Sequence, residues 1–133
     1  MHSTVAKRQA EDFVTRLSRL GPELILIKGN HDRGLRDLPL LDQISIDQFR
    51  FHHGHLDFAR EPAMIDVVGH VHPSWKFNDG AGSCVRRPAM VQTENCFILP
   101  AFSPWAAGAR FDLGQPHRIW VCGKNRILPL DVG

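Results

Sequence analysis

Three short loops constrain this chain more than anything else in it: Gly29-Asn30-His31-Asp32, His53-Gly54-His55 and Gly69-His70-Val71-His72-Pro73. Each sets imidazole or amide ligands beside a glycine, whose missing Cβ lets the backbone turn tightly and approach an ion or a phosphate closely. Each also follows a run that reads as a strand. Residues 23–28 form a short, nearly continuous apolar run, the pattern of a strand buried on both faces. Over 48–52, Phe49 and Phe51 alternate against Gln48 and Arg50, and 63–68 is a third run. Neighbouring parallel strands expose the same edge, so the three loops are expected to meet at the carboxyl ends of an α/β sheet.

The remaining elements follow from periodicity. Between Thr4 and Leu20, Ala10, Phe13, Val14, Leu17 and Leu20 recur at helical spacing opposite Lys7, Arg8, Glu11, Asp12 and Arg16, and Gly21-Pro22 stops the helix. The stretch 33–41, with Gly34 and Pro39, reads as a loop. After Pro73, strands are expected at 85–92, 96–101, 117–122 and 126–130, separated by turns such as Asp79-Gly80-Ala81-Gly82. These predict a mostly antiparallel second half packed on the first. A chain of 133 residues without repeats or a linker fits one domain.

Composition excludes more than it assigns. A formal charge of +2 is too small to mark a nucleic-acid binder by bulk electrostatics. No apolar run is long enough to span a bilayer, so no membrane partner is expected and the default location is cytoplasmic. Cys84, Cys96 and Cys122 are odd in number and make no C-x-x-C, which suits buried or half-buried free thiols in a reducing compartment.

A lone histidine is more often structural than a ligand; three in order, each past a strand and each with glycine, point to a metal site. Asn30, His53 and His70 suit manganese, iron or zinc better than calcium, which prefers all-oxygen shells. His70 and His72, two apart, would point in opposite directions on a flat strand, so they need a loop to share a site.

Gly-Asn-His-Asp, His-Gly-His and Gly-His-Val-His, in that order, resemble the last three signature blocks of the calcineurin-like metallophosphoesterases. Gly29–Arg33, the Gly69–Pro73 block and Leu99-Pro100-Ala101-Phe102-Ser103-Pro104-Trp105 resemble the bacterial ligase-associated DNA damage response endonucleases, over essentially the whole chain. The resemblance implies a four-layer α-β-β-α sandwich with two divalent metal ions, manganese foremost, between its sheets. It implies Asn30, His53 and His70 on one metal and His72 on the other. His31 would be the acid or charge stabiliser oriented by Asp32, with Arg33 and His55 toward substrate and His52 structural. A metal-bridging hydroxide would attack a phosphodiester, in DNA by the subfamily likeness, with a DNA ligase and a helicase as partners.

Two family blocks are missing. The sequence has no Asp-x-His and no Gly-Asp, and the acids ahead of the Asn-His-Asp loop, Glu11, Asp12 and Glu23, are not placed to bridge metals. Met1-His2-Ser3 resembles the tail of the Gly-Asp block, so Met1 is expected to be an internal methionine two residues past the bridging aspartate. On that reading residues 1–133 are a single domain lacking its first β-α unit and the next strand. It would expose a strand edge and apolar surface, and self-associate. The alternatives are a non-catalytic module partnering the ligase or helicase, and a small-molecule phosphatase or cyclic-nucleotide phosphodiesterase on the same loops.

Overall fold

The computed structural model describes residues 4–78, 80–103 and 118–131. Their elements in chain order are the helix α1 (Thr4–Ser18) and the strands β1 (Leu26–Ile27), β2 (Leu40–Leu41), β3 (Gln43–Ile46), β4 (Phe49–His52), β5 (Ile65–Val68), β6 (Ser74–Asn78), β7 (Cys84–Gln92), β8 (Cys96–Ile98), β9 (Arg118–Cys122) and β10 (Ile127–Asp131). The fold is mixed α/β, as the alternation of periods predicts.

Seven strands follow one another across the larger sheet in the order β10-β9-β7-β8-β5-β4-β3, and β6 joins it by pairing with β7. β4 and β5 are parallel, with His52 level with Val68, so the loops that follow them leave the same edge. The second half is antiparallel, as expected, but it does not pack on the first as a separate layer. It continues the same sheet through the parallel β5–β8 pair. The reason lies in residues 96–98, a short apolar strand whose two edges accept β5 on one side and β7 on the other.

Side chains alternate across this sheet. Val68, Ala89, Val91, Ile98, Ile119 and Val121 share one face and form the buried core, with Val71, Trp75, Phe77, Cys96 and Leu130 packed against them. Pro73 is also fully buried, and its carbonyl accepts the Ala89 N–H at 2.9 Å.

The amino-terminal part is built differently. The run 23–28 yields only the two-residue β1, whose one partner among the described residues is the parallel β2. It is not buried on both faces: Leu24 and Ile25 remain exposed because no second strand flanks them among the described residues. α1 has the predicted amphipathic sequence yet contains no buried residue, and Phe13 is 53% exposed. Lys7 on α1 forms an ion pair with Asp37 in the 33–41 loop, which ties the helix to that loop. No described helix is long and apolar enough to cross a membrane. Cys96 and Cys122 are half-buried as expected, but Cys84 is exposed, because it sits where β7 runs beyond the core. The Pro104-Trp105 end of the Leu-Pro-Ala-Phe stretch and His117 fall outside the described residues.

Candidate metal centre

The three loops converge as their spacing predicts. His53 follows β4 and His70 follows β5, and the Gly69 N–H donates to the His53 carbonyl at 3.0 Å, which locks the two loops together. Gly54 lies at φ 106°, and a Cβ there would come within 3.2 Å of Val68 Cβ and 3.3 Å of His70 Cβ. Glycine is therefore required both by conformation and by space. Gly29 is held in turn: its N–H donates to Asp32 Oδ2 at 2.7 Å, and an added Cβ would stand 3.3 Å from the His53 ring. Asp32 thus closes its own loop and seats that loop against His53.

Donor atoms meet at the centre. His53 Nε2 lies 3.1 Å from Asn30 Oδ1 and 3.2 Å from His70 Nδ1. His53 Nε2 carries at most one proton and donates well to only one of them, whereas a cation among the three would take a lone pair from each. Ligands about 2.1 Å from a common ion lie about 3.0–3.5 Å from each other, the separation found here. His53 is held below the ordinary histidine range, first by burial and then by the charges that His70 and His55 would carry, while Asp32 opposes the shift. A neutral ring keeps its lone pair available to a metal. His55 lies against the same cluster, its ring centroid 5.2 Å from that of His53.

The fourth predicted ligand joins less directly. His70 and His72 adopt φ values of 20° and 52°, a region that non-glycine residues seldom occupy and that tends to be stored at functional sites. This is the loop their spacing demanded. His72 is close enough for its charge to act on His53, and it completes no second cluster. Among the described residues, no group of three His, Cys, Asp or Glu side chains gathers at metal-binding distance. The centre consists of two imidazoles and an amide, and its one nearby carboxylate, Asp32, is engaged with Gly29. These residues fit the neutral part of one divalent ion's shell; a second ion would find His72.

His31 is exposed and, with Asn30, Arg33 and Gly34, lines a cleft of about 820 Å³ between their loop and Thr4, Lys7 and Ala10 of α1. Its Nε2 stands 3.5 Å from Asn30 Nδ2. Arg33 is exposed at the same cleft.

Beneath the centre lies a network that periodicity did not reveal. Arg50, in the β4 alternation, points into the sheet's buried side and is 5% exposed. Its Nε and Nη2 donate to Asp66 at 2.6 and 3.2 Å, its Nη1 donates to the Ala59 carbonyl at 3.1 Å, and its guanidinium lies 5.5 Å from the Phe58 ring centre. His52 Nε2 meets Asp66 Oδ1 at 3.1 Å, which gives His52 the structural role expected of it. Burial alone would raise the Asp66 carboxyl, but the Arg50 and His52 hydrogen bonds outweigh it and hold it below the usual carboxylate range. The signal was a charged residue inside the apolar strand Ile65-Asp66-Val67-Val68, which demands a buried partner.

Neither a family model nor a curated protein matches this chain. It is similar to a solved structure, the nuclease MPE of Pseudomonas putida, with a TM-score of 0.69 and 26% sequence identity. The alignment covers 98% of this chain and 66% of that one, so the chain spans just under two thirds of the nuclease's length.

Proposed function

We propose that this chain carries the histidine-rich part of a metal-dependent phosphodiesterase centre that cuts nucleic acid. The observation that carries this reading is the convergence of Asn30 Oδ1 and His70 Nδ1 on His53 Nε2, at 3.1 and 3.2 Å, at one sheet edge. The likeness to a nuclease supports the choice of phosphodiester over other substrates. In this proposal Asn30, His53 and His70 hold one divalent ion, with manganese first and iron or zinc next, and His72 belongs to a second. Such an ion lowers the pKa of a water and offsets charge on phosphate oxygens. His31, which lines the cleft, would act as the acid or charge stabiliser toward the leaving oxygen. Asp32 fixes the loop that carries it, and Arg33 and His55 face the substrate. The larger sheet would be one inner layer of the four-layer sandwich. The calcineurin-like class and a role in DNA repair belong to this proposal as well.

A second reading is favoured by the lack of a free carboxylate among the described ligands. On it the chain is a non-catalytic module, partnering a DNA ligase or helicase. Manganese titration followed by calorimetry, alongside hydrolysis of a chromogenic phosphodiester, separates the two. The proposal expects manganese-dependent turnover that falls about 100-fold or more with His31→Ala or His53→Ala, the range typical of a lost general acid. Full activity in either variant refutes the assignments, and absence of manganese binding favours the module.

A further inference from the structure

Beyond the centre, β7 outruns the sheet it belongs to. Val91 is level with Ile98, and Ile98 with Val68, the last residue of β5 before the Gly69-His70 loop. From Val91 the chain runs back toward Cys84 in the direction of the histidine loops, because β7 is antiparallel to β8. Residues 84–88 have lost β8 and β9 as neighbours and pair with β6 alone. At about 3.4 Å per residue, Arg86 projects about 17 Å beyond the level of Val68, on the edge where His53 and His70 sit. β6 itself starts two residues after His72, with the intervening Pro73 buried in the core. The arm is therefore rooted in the centre's own loop.

Its two faces differ. Trp75 and Phe77 turn to the core. On the other face Lys76 stands directly opposite Arg86, and both are exposed; Arg87, paired with Trp75 and on its face, is exposed too. The sequence between Ser74 and Gln92 holds one acid, Asp79, against these three cations. An arm that presents exposed cations and is rooted in the loop of a phosphodiester centre is suited to a polyanion with regularly spaced charges.

We propose that the β6–β7 arm holds the sugar-phosphate backbone of the nucleic acid beside the centre, with Lys76 and Arg86 as its phosphate contacts. This inference rests on the reading of the centre as a phosphodiesterase. The test measures binding of fluorescent single-stranded and duplex DNA oligonucleotides to the full chain over a range of salt concentrations. Lys76→Ala/Arg86→Ala should weaken binding at least tenfold and reduce the log–log salt slope by about 1.5, as loss of two phosphate contacts requires. Lys76→Arg/Arg86→Lys, which keeps both charges, should bind as the parent does. Arg118→Ala, on β9 level with Gln92 and so six residues along β7 from Arg86, controls for bulk charge. An unchanged slope in the double alanine variant, equal weakening by Arg118→Ala, or no binding by the parent chain overturns the proposal. Small-diester hydrolysis is unaffected by the arm variants on this account. Loss of the small-diester reaction in the parent chain with DNA binding intact would instead defeat the reading of the centre and leave the arm standing.

Discussion

The two sides of the centre are supported to very different degrees. His53 and His70 leave adjacent strands of a broad sheet, over a core that includes Val68 and above the Arg50–Asp66–His52 network. Asn30 and His31 leave a two-residue strand with one neighbour among the described residues, next to a helix whose Ala10, Val14 and Leu17 are only half-buried. The residue types are equally suited to ligation on both sides. The difference shows that a ligand's chemistry is set locally, while its positional accuracy is set by what lies behind it.

The sharpest way to break this contrast is to attack the stronger side. Arg50→Met leaves half-buried Asp66 without its guanidinium partner; loss of one member of a fully buried pair costs about 3–5 kcal/mol, and about 2–3 kcal/mol is expected at this partly solvated site. Urea denaturation should show that loss, and Arg50→Met/Asp66→Leu should recover much of it. A single variant as stable as the parent would mean that the network does not support the β4–β5 edge.

A smaller effect is expected from acid. Asp66 is held below its unfolded value, so its contribution to stability is complete above the unfolded carboxylate pKa and is lost as pH falls through the lowered folded one. Thermal melts from pH 6 down to pH 2 should therefore drop most at the acidic end, about where carboxylates titrate. Asp66→Asn should flatten that drop; an unchanged profile would show that other carboxylates govern it.

The smallest effect is predicted on the weaker side. Phe13→Ala on α1 removes an aromatic ring already 53% exposed and should change stability by no more than about 0.5 kcal/mol. A loss of about 2 kcal/mol or more in the same denaturation assay would show α1 buried in solution, and the contrast between the two sides would disappear.

Much of this arrangement is legible in the sequence because it depends on local signals. The helix over Thr4–Ser18, the strands ending before His53 and His70, and the need for a loop at His70–His72 all follow from spacing and glycine placement. What was not legible depends on pairing partners. The run at 23–28 has the composition of a buried strand, but burial requires neighbours, and it has one among the described residues. β6 escaped notice because Ser74-Trp75-Lys76-Phe77-Asn78 alternates too briefly after the histidine loop to stand out, and it is β7 that holds it extended. Nor could composition decide whether the antiparallel half would stack on the first half or extend its sheet. That depends on the two edges of the short β8.

The parallel β4–β5 pair has a kinetic consequence. His53 and His70 become neighbours only when Phe49 finds Ile65 and the intervening chain closes, and Asn30 joins from still farther away. Contacts between distant segments form late, after the entropy of loop closure has been overcome. The ligand set is therefore a product of complete folding, and a nascent or partly folded chain offers an ion only scattered, competing imidazoles. On the proposed reading, metal capture would be the last step in maturation, not the nucleus around which the chain assembles.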